Sequence, residues 1–393
     1  MTALALTRVI RNTPALRLRD YFAWRGLDTG GIFNERNGRW CCTATSLLKT
    51  VESLEDNGQS LLNADFERIQ EMTDEAGQWA ILHVSADKKR LEEFGSPYER
   101  ALWLFMADQA LFRKAEETRY ADTRRQGRMW SGFVGPRNMT VSQDPEDCRQ
   151  FEERVRLTFD ARNAHLDVFE RFRTGGDGNL SRVVQAVVYR EGLPDAKLVF
   201  NAVGDLEMYS YRPVYEVSIV YEPGTGIIEV VAQGTENRAR IARLFAEIIL
   251  RQGILGMRIP LRQYDLSQLL QPYDFPSDPN DGIEAVKILR MSLRYKESAK
   301  PHLALIANWE ERETVYDYAR ASLIFAQDLR EEYDLAEAIF SVRMRPTRRS
   351  SGRRRTINVG ISLPNGCNLK SKTEQERMIC EKYLQRWGLV KEV

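Results

Sequence analysis

The sequence predicts an α+β protein, because the spacing of its apolar residues changes along the chain. Apolar residues recur at helical spacing through the first third, and from Ser181 they recur at every second position, which is typical of half-buried antiparallel strands. A second alternating set after residue 282 is followed by an amphipathic helix. We therefore predict a helical N-terminal region, a central antiparallel sheet with packed helices, and a C-terminal α+β region that bears a protruding basic β-hairpin.

Two interruptions of these patterns suggest domain boundaries. The segment 131–147 breaks the helical spacing, and the segment 271–282 contains three prolines and three aspartates, a composition typical of linkers and surface loops. The predicted domains are a mostly helical region, 1–130, an α+β domain with antiparallel strands, 131–272, and a C-terminal α+β domain with the basic hairpin and a final helix, 282–393.

Several local signals place the predicted helices. The clearest helix runs from Ser96, a suitable N-cap, to Gly127, and a shorter one is expected within 63–84. A charge-rich helical stretch should follow residue 147 and end at TGGDGN, 174–179. The final helix opens with Thr373 and Glu376 in the spacing of a capping box.

The predicted strands lie between these helices. Asn37-Gly38 indicates a hairpin in the N-terminal region. Strands are expected at 181–192, 195–204 and 213–234, and again at 283–295 and 301–309. An acidic helix is predicted over 311–338, immediately before the basic hairpin.

Composition limits the possible function. Lys and Arg total 57 and Asp and Glu 56, so the net charge of +1 excludes a protein that coats nucleic acid by overall charge, and a polyanion must be met by a local patch. Five scattered cysteines favour a reducing cytosol over a disulfide framework or a zinc knuckle. Apolar runs are too short for a signal peptide or a membrane span. We therefore predict a cytoplasmic protein with no membrane association and no cofactor.

The segment RMRPTRRSSGRRRTINV, residues 343–359, is the strongest candidate for a binding site. Alternating apolar residues in 340–344 and 357–363 predict two strands that share a core face. Near the Ser-Ser-Gly turn, adjacent arginines point to both sides of the ribbon. Unpaired guanidinium groups cannot be buried without a cost of several kcal/mol each, so the tip is expected to project from the sheet.

The sequence around this hairpin contains no acidic residue to balance its positive charge. From Ser341 to Thr373 there are seven arginines, two lysines and no acidic residue. An anionic partner would relieve their repulsion, and a two-stranded ribbon fits the major groove of DNA. We predict that the hairpin binds nucleic acid, DNA or RNA, as part of a larger assembly. The predicted contact residues are Arg343, Arg345, Arg348, Arg349, Arg353, Arg354, Arg355, Lys370 and Lys372.

Two other interpretations of this charge remain open. In one, the hairpin docks on an acidic protein surface, in this chain, in a second copy as a homo-oligomer, or in another protein, and the protein is a scaffold or interaction subunit. The predicted acidic helix offers carboxylates for that purpose, namely Asp328, Glu331, Glu332, Asp334 and Glu337. In the other, the segment is a solvated loop.

Signatures of catalysis are largely missing from the sequence. It contains neither a Gly-rich phosphate loop ending in Lys-Ser or Lys-Thr nor a G-x-S-x-G motif, and its three histidines are scattered. Carboxylates on predicted strands, Glu216, Glu222 and Glu229, leave a metal-dependent nuclease as a further alternative. No catalytic residue and no metal ligand is predicted.

Overall fold

The computed structural model describes residues 4–125, 127–174, 180–201, 203–253, 258–259, 263–296, 302–322, 329–345, 355–364 and 366–391. The chain forms two compact units, Met1–Ile259 and Pro260–Val393. Each unit combines helices with antiparallel strands, so the predicted α+β class is confirmed. The division into three domains stays a prediction. Within the described ranges, no helix has both the length and the apolar content that crossing a bilayer requires.

The first unit consists of an N-terminal helical bundle followed by strands and further helices. Its helices are α1 (Leu4–Asn12), α2 (Ala15–Trp24), α3 (Ala44–Glu52), α4 (Asp56–Glu71), α5 (Glu75–Val84), α6 (Lys88–Glu92), α7 (Pro97–Ala107), α8 (Gln109–Arg124), α9 (Pro145–Phe159) and α10 (Thr235–Leu244). Its strands are β1 (Asn34–Arg36), β2 (Arg39–Cys41), β3 (Trp130–Val134), β4 (Ala164–Thr174), β5 (Leu180–Glu191), β6 (Asp195–Phe200), β7 (Leu206–Tyr211), β8 (Val214–Glu222), β9 (Ile227–Val231) and β10 (Arg258–Ile259). A π-helical turn, Phe245–Ile249, extends α10.

Two predicted helices are each divided by an aspartate. Asp108 adopts an extended conformation, φ −152° and ψ 96°, and its side chain accepts a hydrogen bond from Leu111 N at 2.8 Å, which ends α7 and caps α8. Asp74 caps α5 in the same way, accepting from Gly77 N at 2.7 Å. Because the aspartate side chain competes for backbone N–H groups, helical spacing continues across both breaks while the helix itself does not.

The hairpin predicted at Asn37-Gly38 is present. β1 and β2 pair antiparallel across it, and both turn residues have positive φ, 51° and 72°. This is the conformation that a two-residue hairpin turn requires and that Asn and Gly tolerate best.

The main sheet of the first unit has six antiparallel strands in the order β10-β3-β9-β8-β5-β4. One face packs on α9, α10 and the π-helical turn through a core that includes Phe151, Ile219 and Phe245. The charge-rich stretch after residue 147 was predicted to be helical throughout, and that is wrong beyond Phe159. Asp160 turns the chain in a left-handed conformation, φ 50°, and residues 164–174 form the edge strand β4.

The opposite face of this sheet is also buried, and it carries polar and charged residues among apolar ones. Alternate positions of β4, β5, β8 and β9 contribute the buried residues Arg171, Arg173, Gln185, Ser218 and Glu229. The Arg171 guanidinium donates to both carboxylate oxygens of Asp122 of α8, at 2.7 and 3.0 Å. The first unit therefore has an apolar layer on one side of the sheet and a mixed layer, which contains the buried ion pairs, on the other.

The second unit is a five-stranded sheet with short helices. Its helices are α11 (Val315–Ser322), α12 (Leu329–Glu332) and α13 (Glu374–Arg386), and its strands are β11 (Gln263–Tyr264), β12 (Ile283–Tyr295), β13 (His302–Ile306), β14 (Tyr333–Met344), β15 (Arg355–Ser362), β16 (Gly366–Cys367) and β17 (Val390–Lys391). The sheet order is β13-β12-β14-β15-β16. Trp387, at the end of α13, joins a core with Phe275, at a ring distance of 4.9 Å, and Phe340 of β14, at 6.4 Å.

Sequence signals in the second unit had mixed outcomes. The capping box of α13 is confirmed: Glu376 N donates to the Thr373 hydroxyl, and the Glu376 carboxylate accepts from Thr373 N. The acidic helix predicted over 311–338 is wrong in its last part. Strand β14 begins at Tyr333 and pairs along its length with β12, so the pairing outweighs the helical preference of its Ala and Glu residues.

Candidate nucleic-acid-binding face

The two arms of the basic hairpin are the strands β14 and β15. Their register pairs Met344 with Arg355 and Arg343 with Thr356. Since successive side chains of a strand alternate between its two faces, Arg343 and Arg355 lie on opposite faces of the sheet. The face that carries Arg355 is packed on the core of the unit, and the face that carries Arg343 is called the open face below.

Arg343 stacks on an aromatic ring at the open face. Its guanidinium carbon lies 4.0 Å from the centre of the Trp309 ring, within cation–π range. The indole Nε1 donates to the Ser341 hydroxyl at 2.7 Å, and that hydroxyl donates to Asn358 Oδ1, also at 2.7 Å. Hydrogen bonds through Ser341 and Asn358 therefore fix the Trp309 ring beneath Arg343, so the fold sets the position of the guanidinium.

Further basic residues continue this face along β12. Lys287 is paired with Ser341 in the sheet, and Arg290 and Arg294 follow on the same strand. Lys287 Nζ donates to the backbone oxygens of Asn308 and Glu311, at 2.6 and 2.9 Å. The closest charges to the two arginines are Glu337, 3.8 Å from Arg290, and Asp334, 3.5 Å from Arg294.

Two guanidinium groups of this face keep an unsatisfied donor. The Nε groups of Arg290 and Arg343 are shielded from solvent and have no hydrogen-bond acceptor within the described residues. Buried donors normally have partners, and each that lacks one is costly to the fold. Each of these arginines therefore keeps one hydrogen-bond donor without an acceptor among the described residues.

Arg355 has a protein partner instead. It donates to the Glu376 carboxylate at 2.7 Å, on the side of the hairpin that faces α13. Burial acts to raise the pKa of Glu376, but hydrogen bonds from Thr373 and Arg355 outweigh it and hold the pKa below its usual value. Lys372 lies near the same helix, where its charge opposes the rise in the pKa of the buried Cys380 thiol.

The other predicted contact residues have different outcomes. Arg345 is exposed, and its backbone N–H donates to Gly282 O at 2.7 Å. Lys370 belongs to a 3-10 turn, Asn368–Ser371. Four of the arginines lie outside the described residues: Arg348, Arg349, Arg353 and Arg354. The described residues therefore place Arg343 and Arg355 on opposite faces of the sheet, and binding of nucleic acid by the nine residues stays a prediction.

The open face also contains residues that the sequence analysis missed. Arg290, Ser292 and Arg294 alternate with apolar residues in the predicted strand 283–295, and this pattern was available in the sequence. Trp309 was not identifiable in that way, because it lies beyond β13 and reaches Ser341 only through the folding of the sheet.

The carboxylates that precede the hairpin are engaged elsewhere. Glu337 and Asp334 lie on strand β14 and approach Arg290 and Arg294 of β12. Asp328 is outside the described residues. Glu331 and Glu332 end the short helix α12, and docking of the hairpin on these carboxylates stays a prediction.

Two of the three carboxylates considered as metal ligands, Glu222 and Glu229, lie beside arginines. Glu229 accepts from Arg125 Nε and from Arg173 Nη1, both at 2.7 Å, and Glu222 lies 3.9 Å from Arg173. Burial acts to lower the pKa of Arg173, and the charges of Glu229, Asp122 and Glu222 outweigh it. Across the described ranges, no three His, Cys, Asp or Glu side chains are grouped as metal ligands would be.

One buried acid in the polar layer of the first unit has unusual chemistry. Burial, with the nearby charges of Glu216 and Asp167, raises the pKa of Glu117 from 4.5 to about 8. One of its oxygens is hydrogen-bonded to the Tyr189 hydroxyl, and the other has no hydrogen-bond partner in the described structure. Glu117 is therefore expected to be protonated at neutral pH.

Comparison with known proteins adds no relative to this description. No protein-family model matches the chain, and no curated protein matches its sequence. Inferences about function therefore depend on the geometry of the described residues.

Proposed function

We propose that the second unit binds nucleic acid, through the open face of its sheet and the basic hairpin. The observation that carries this proposal is the positive charge of residues 341–373, which contain no acid, combined with the stack of Arg343 on Trp309. Arginine guanidinium groups match phosphate geometry, and basic sheet faces with aromatic side chains are a common surface for nucleic-acid strands.

The electrostatics of the described residues support the same proposal. Lys287, Arg290, Arg294 and Arg343 lie along the open face, where the described strands oppose them with Asp334 and Glu337. Phosphate oxygens would accept charge-assisted hydrogen bonds from the guanidinium groups of this face. In this proposal the protein is a cytoplasmic, non-catalytic subunit of a larger assembly, and all five cysteines are free thiols, as a reducing compartment requires.

The test measures affinity for labelled single-stranded DNA, single-stranded RNA and duplex DNA across a salt series. The logarithm of the affinity should fall with the logarithm of the salt concentration, with a slope of about 0.9 for each duplex phosphate contact and about 0.7 for each single-strand contact. Arg343→Gln should weaken binding and reduce this slope by about 1. Arg182→Gln, which changes an exposed arginine of the first unit, is the matched control and should bind like the wild type.

A second variant tests the hairpin itself. Replacement of Arg348, Arg349, Arg353, Arg354 and Arg355 by serine should remove most of the salt dependence. Equal affinity of this variant, Arg343→Gln and the wild type would exclude nucleic-acid binding by this unit. Association with an acidic protein that survives nuclease treatment, without binding to any oligonucleotide, would instead favour the scaffold alternative.

A further inference from the structure

The first unit carries a two-stranded ribbon that stands apart from its main sheet. Strands β6 and β7 pair only with each other among the described strands, in a register that joins Leu198 to Met208 and Phe200 to Leu206. An isolated two-stranded hairpin is marginally stable in water, so a ribbon of this kind normally gains stability from a surface that covers it.

On one face of the ribbon the side chains contact one another. Tyr209 and Tyr211 stack with their ring centres 6.2 Å apart, and Lys197 lies 5.3 Å from the Tyr211 ring. The Tyr211 hydroxyl donates to Asp195 at 3.3 Å. Charges of both signs and stacked rings suit this face to water.

The other face is apolar and uncovered. Leu198, Phe200, Leu206 and Met208 are exposed to 60%, 73%, 58% and 63%. At about 200 Å² for a fully exposed side chain of this size, they leave roughly 500 Å² of apolar surface, comparable to the largest patch on a typical monomer.

We propose that this apolar face packs against the same face of a second copy of the chain, so that the protein is a two-fold dimer through its β6–β7 ribbons. The four side chains expose roughly 500 Å² in each copy, so a contact between two copies would bury roughly 1,000 Å² in total, about the minimum for a specific interface. Two-fold contacts are self-complementary, and the cross-strand pairs Leu198–Met208 and Phe200–Leu206 place large apolar residues on both strands of each copy.

The charge of the ribbon supports a protein occupant over a phosphate-rich one. Residues 195–211 contain Asp195, Asp205 and Glu207 but only Lys197 as a basic residue, a net charge of −2. Nucleic acid and anionic membranes would be repelled by this charge, whereas Asp195, Lys197 and Glu207 lie on the tyrosine face, away from the proposed contact between copies. The dimer does not depend on nucleic-acid binding by the second unit, and its test contains no oligonucleotide.

The test is sedimentation of the full chain at concentrations from about 1 to about 100 µM, a range in which many interfaces of this size dissociate. The wild type should shift from monomer to dimer. The variant Leu198→Ser/Met208→Ser should remain a monomer, whereas the control Leu61→Ser/Leu157→Ser, which removes exposed leucines elsewhere in the first unit, should dimerise like the wild type.

Hydrogen exchange of the wild type provides a second readout, which requires no substitution. Amides of residues 195–211 should exchange more slowly at high than at low protein concentration, while those of β1 and β2 should not change. A wild type that remains monomeric, a Leu198→Ser/Met208→Ser variant that still dimerises, or exchange independent of concentration would each overturn the proposal. So would a monomer that binds phosphatidylcholine vesicles through the ribbon, because the occupant would then be a bilayer.

Discussion

Replacing Glu229 with glutamine tests whether the polar face of the six-stranded sheet is held by buried ion pairs. Glu229 and Arg173 are exposed to only 4% and 8%, and the carboxylate accepts from Arg173 and Arg125 at 2.7 Å each. In Glu229→Gln the amide keeps one acceptor oxygen but no charge, so Arg173 is left buried with Glu222, 3.9 Å away, as its nearest carboxylate.

The expected loss follows from that geometry. Breaking a buried ion pair by removing one partner costs about 3–5 kcal/mol, and the residual charge of Glu222 places this case near the lower end. The control is Glu170→Gln, which breaks the exposed pair between Glu170 and Arg182, with side chains 47% and 63% exposed, and should cost less than about 1 kcal/mol.

Urea unfolding followed by circular dichroism, fitted with one transition for each unit, gives both free energies of unfolding. A loss for Glu229→Gln within 1 kcal/mol of the control would refute the reasoning. It would mean that the buried pair contributes no more than a surface pair, and Glu229 would again be available as a ligand.

Two further predictions concern Glu117 and the capping box. The folded protein keeps a proton on Glu117 that the unfolded chain releases, so the free energy of unfolding should fall as pH rises from 4.5 to about 8, by at most about 1.4 kcal/mol per pH unit. Glu117→Gln should flatten this dependence in urea titrations at several pH values. An unchanged slope would contradict the raised pKa. In thermal unfolding, Thr373→Ala should destabilise the second unit by about 1 kcal/mol. Thr373→Ser keeps the hydroxyl and should destabilise it by much less. Equal losses in the two variants would contradict the capping role of Thr373.

Elements that depend on neighbouring residues in sequence could be predicted. The capping box at Thr373, the turn at Asn37-Gly38 and the strands β5, β8 and β9 each need only a short segment, and the structure contains them all, although these strands are buried on both faces. The α+β class followed from these segments. The basic hairpin was predicted for the same reason, since both arms alternate strictly.

Strand β4 could not be predicted because its polarity is inverted. Arg171 and Arg173 are buried in the polar layer, whereas Phe172 between them is 47% exposed. Apolar residues alternate only in its first half, at Ala164, Leu166 and Val168, and the charged second half suggests a helix. The partner that makes the burial of Arg171 favourable, Asp122, is far away in sequence.

The candidate site was only partly predictable for a related reason. The sequence identifies the arginines, but the side of the hairpin on which each lies depends on the register, which pairs Met344 with Arg355. The stack of Arg343 on Trp309 needs contacts between residues more than thirty positions apart. Such contacts follow from tertiary structure and have no local signal.

The two unlike layers on either side of the six-stranded sheet have a consequence for how it assembles. A shift of the β4 register by one position would place Arg171 and Arg173 in the apolar layer beside α9. It would also place Leu166 and Val168 on the face that carries the ion pairs. Both sides would be penalised at once, so misaligned pairings are strongly disfavoured. The register of the edge strand β4 is thereby fixed.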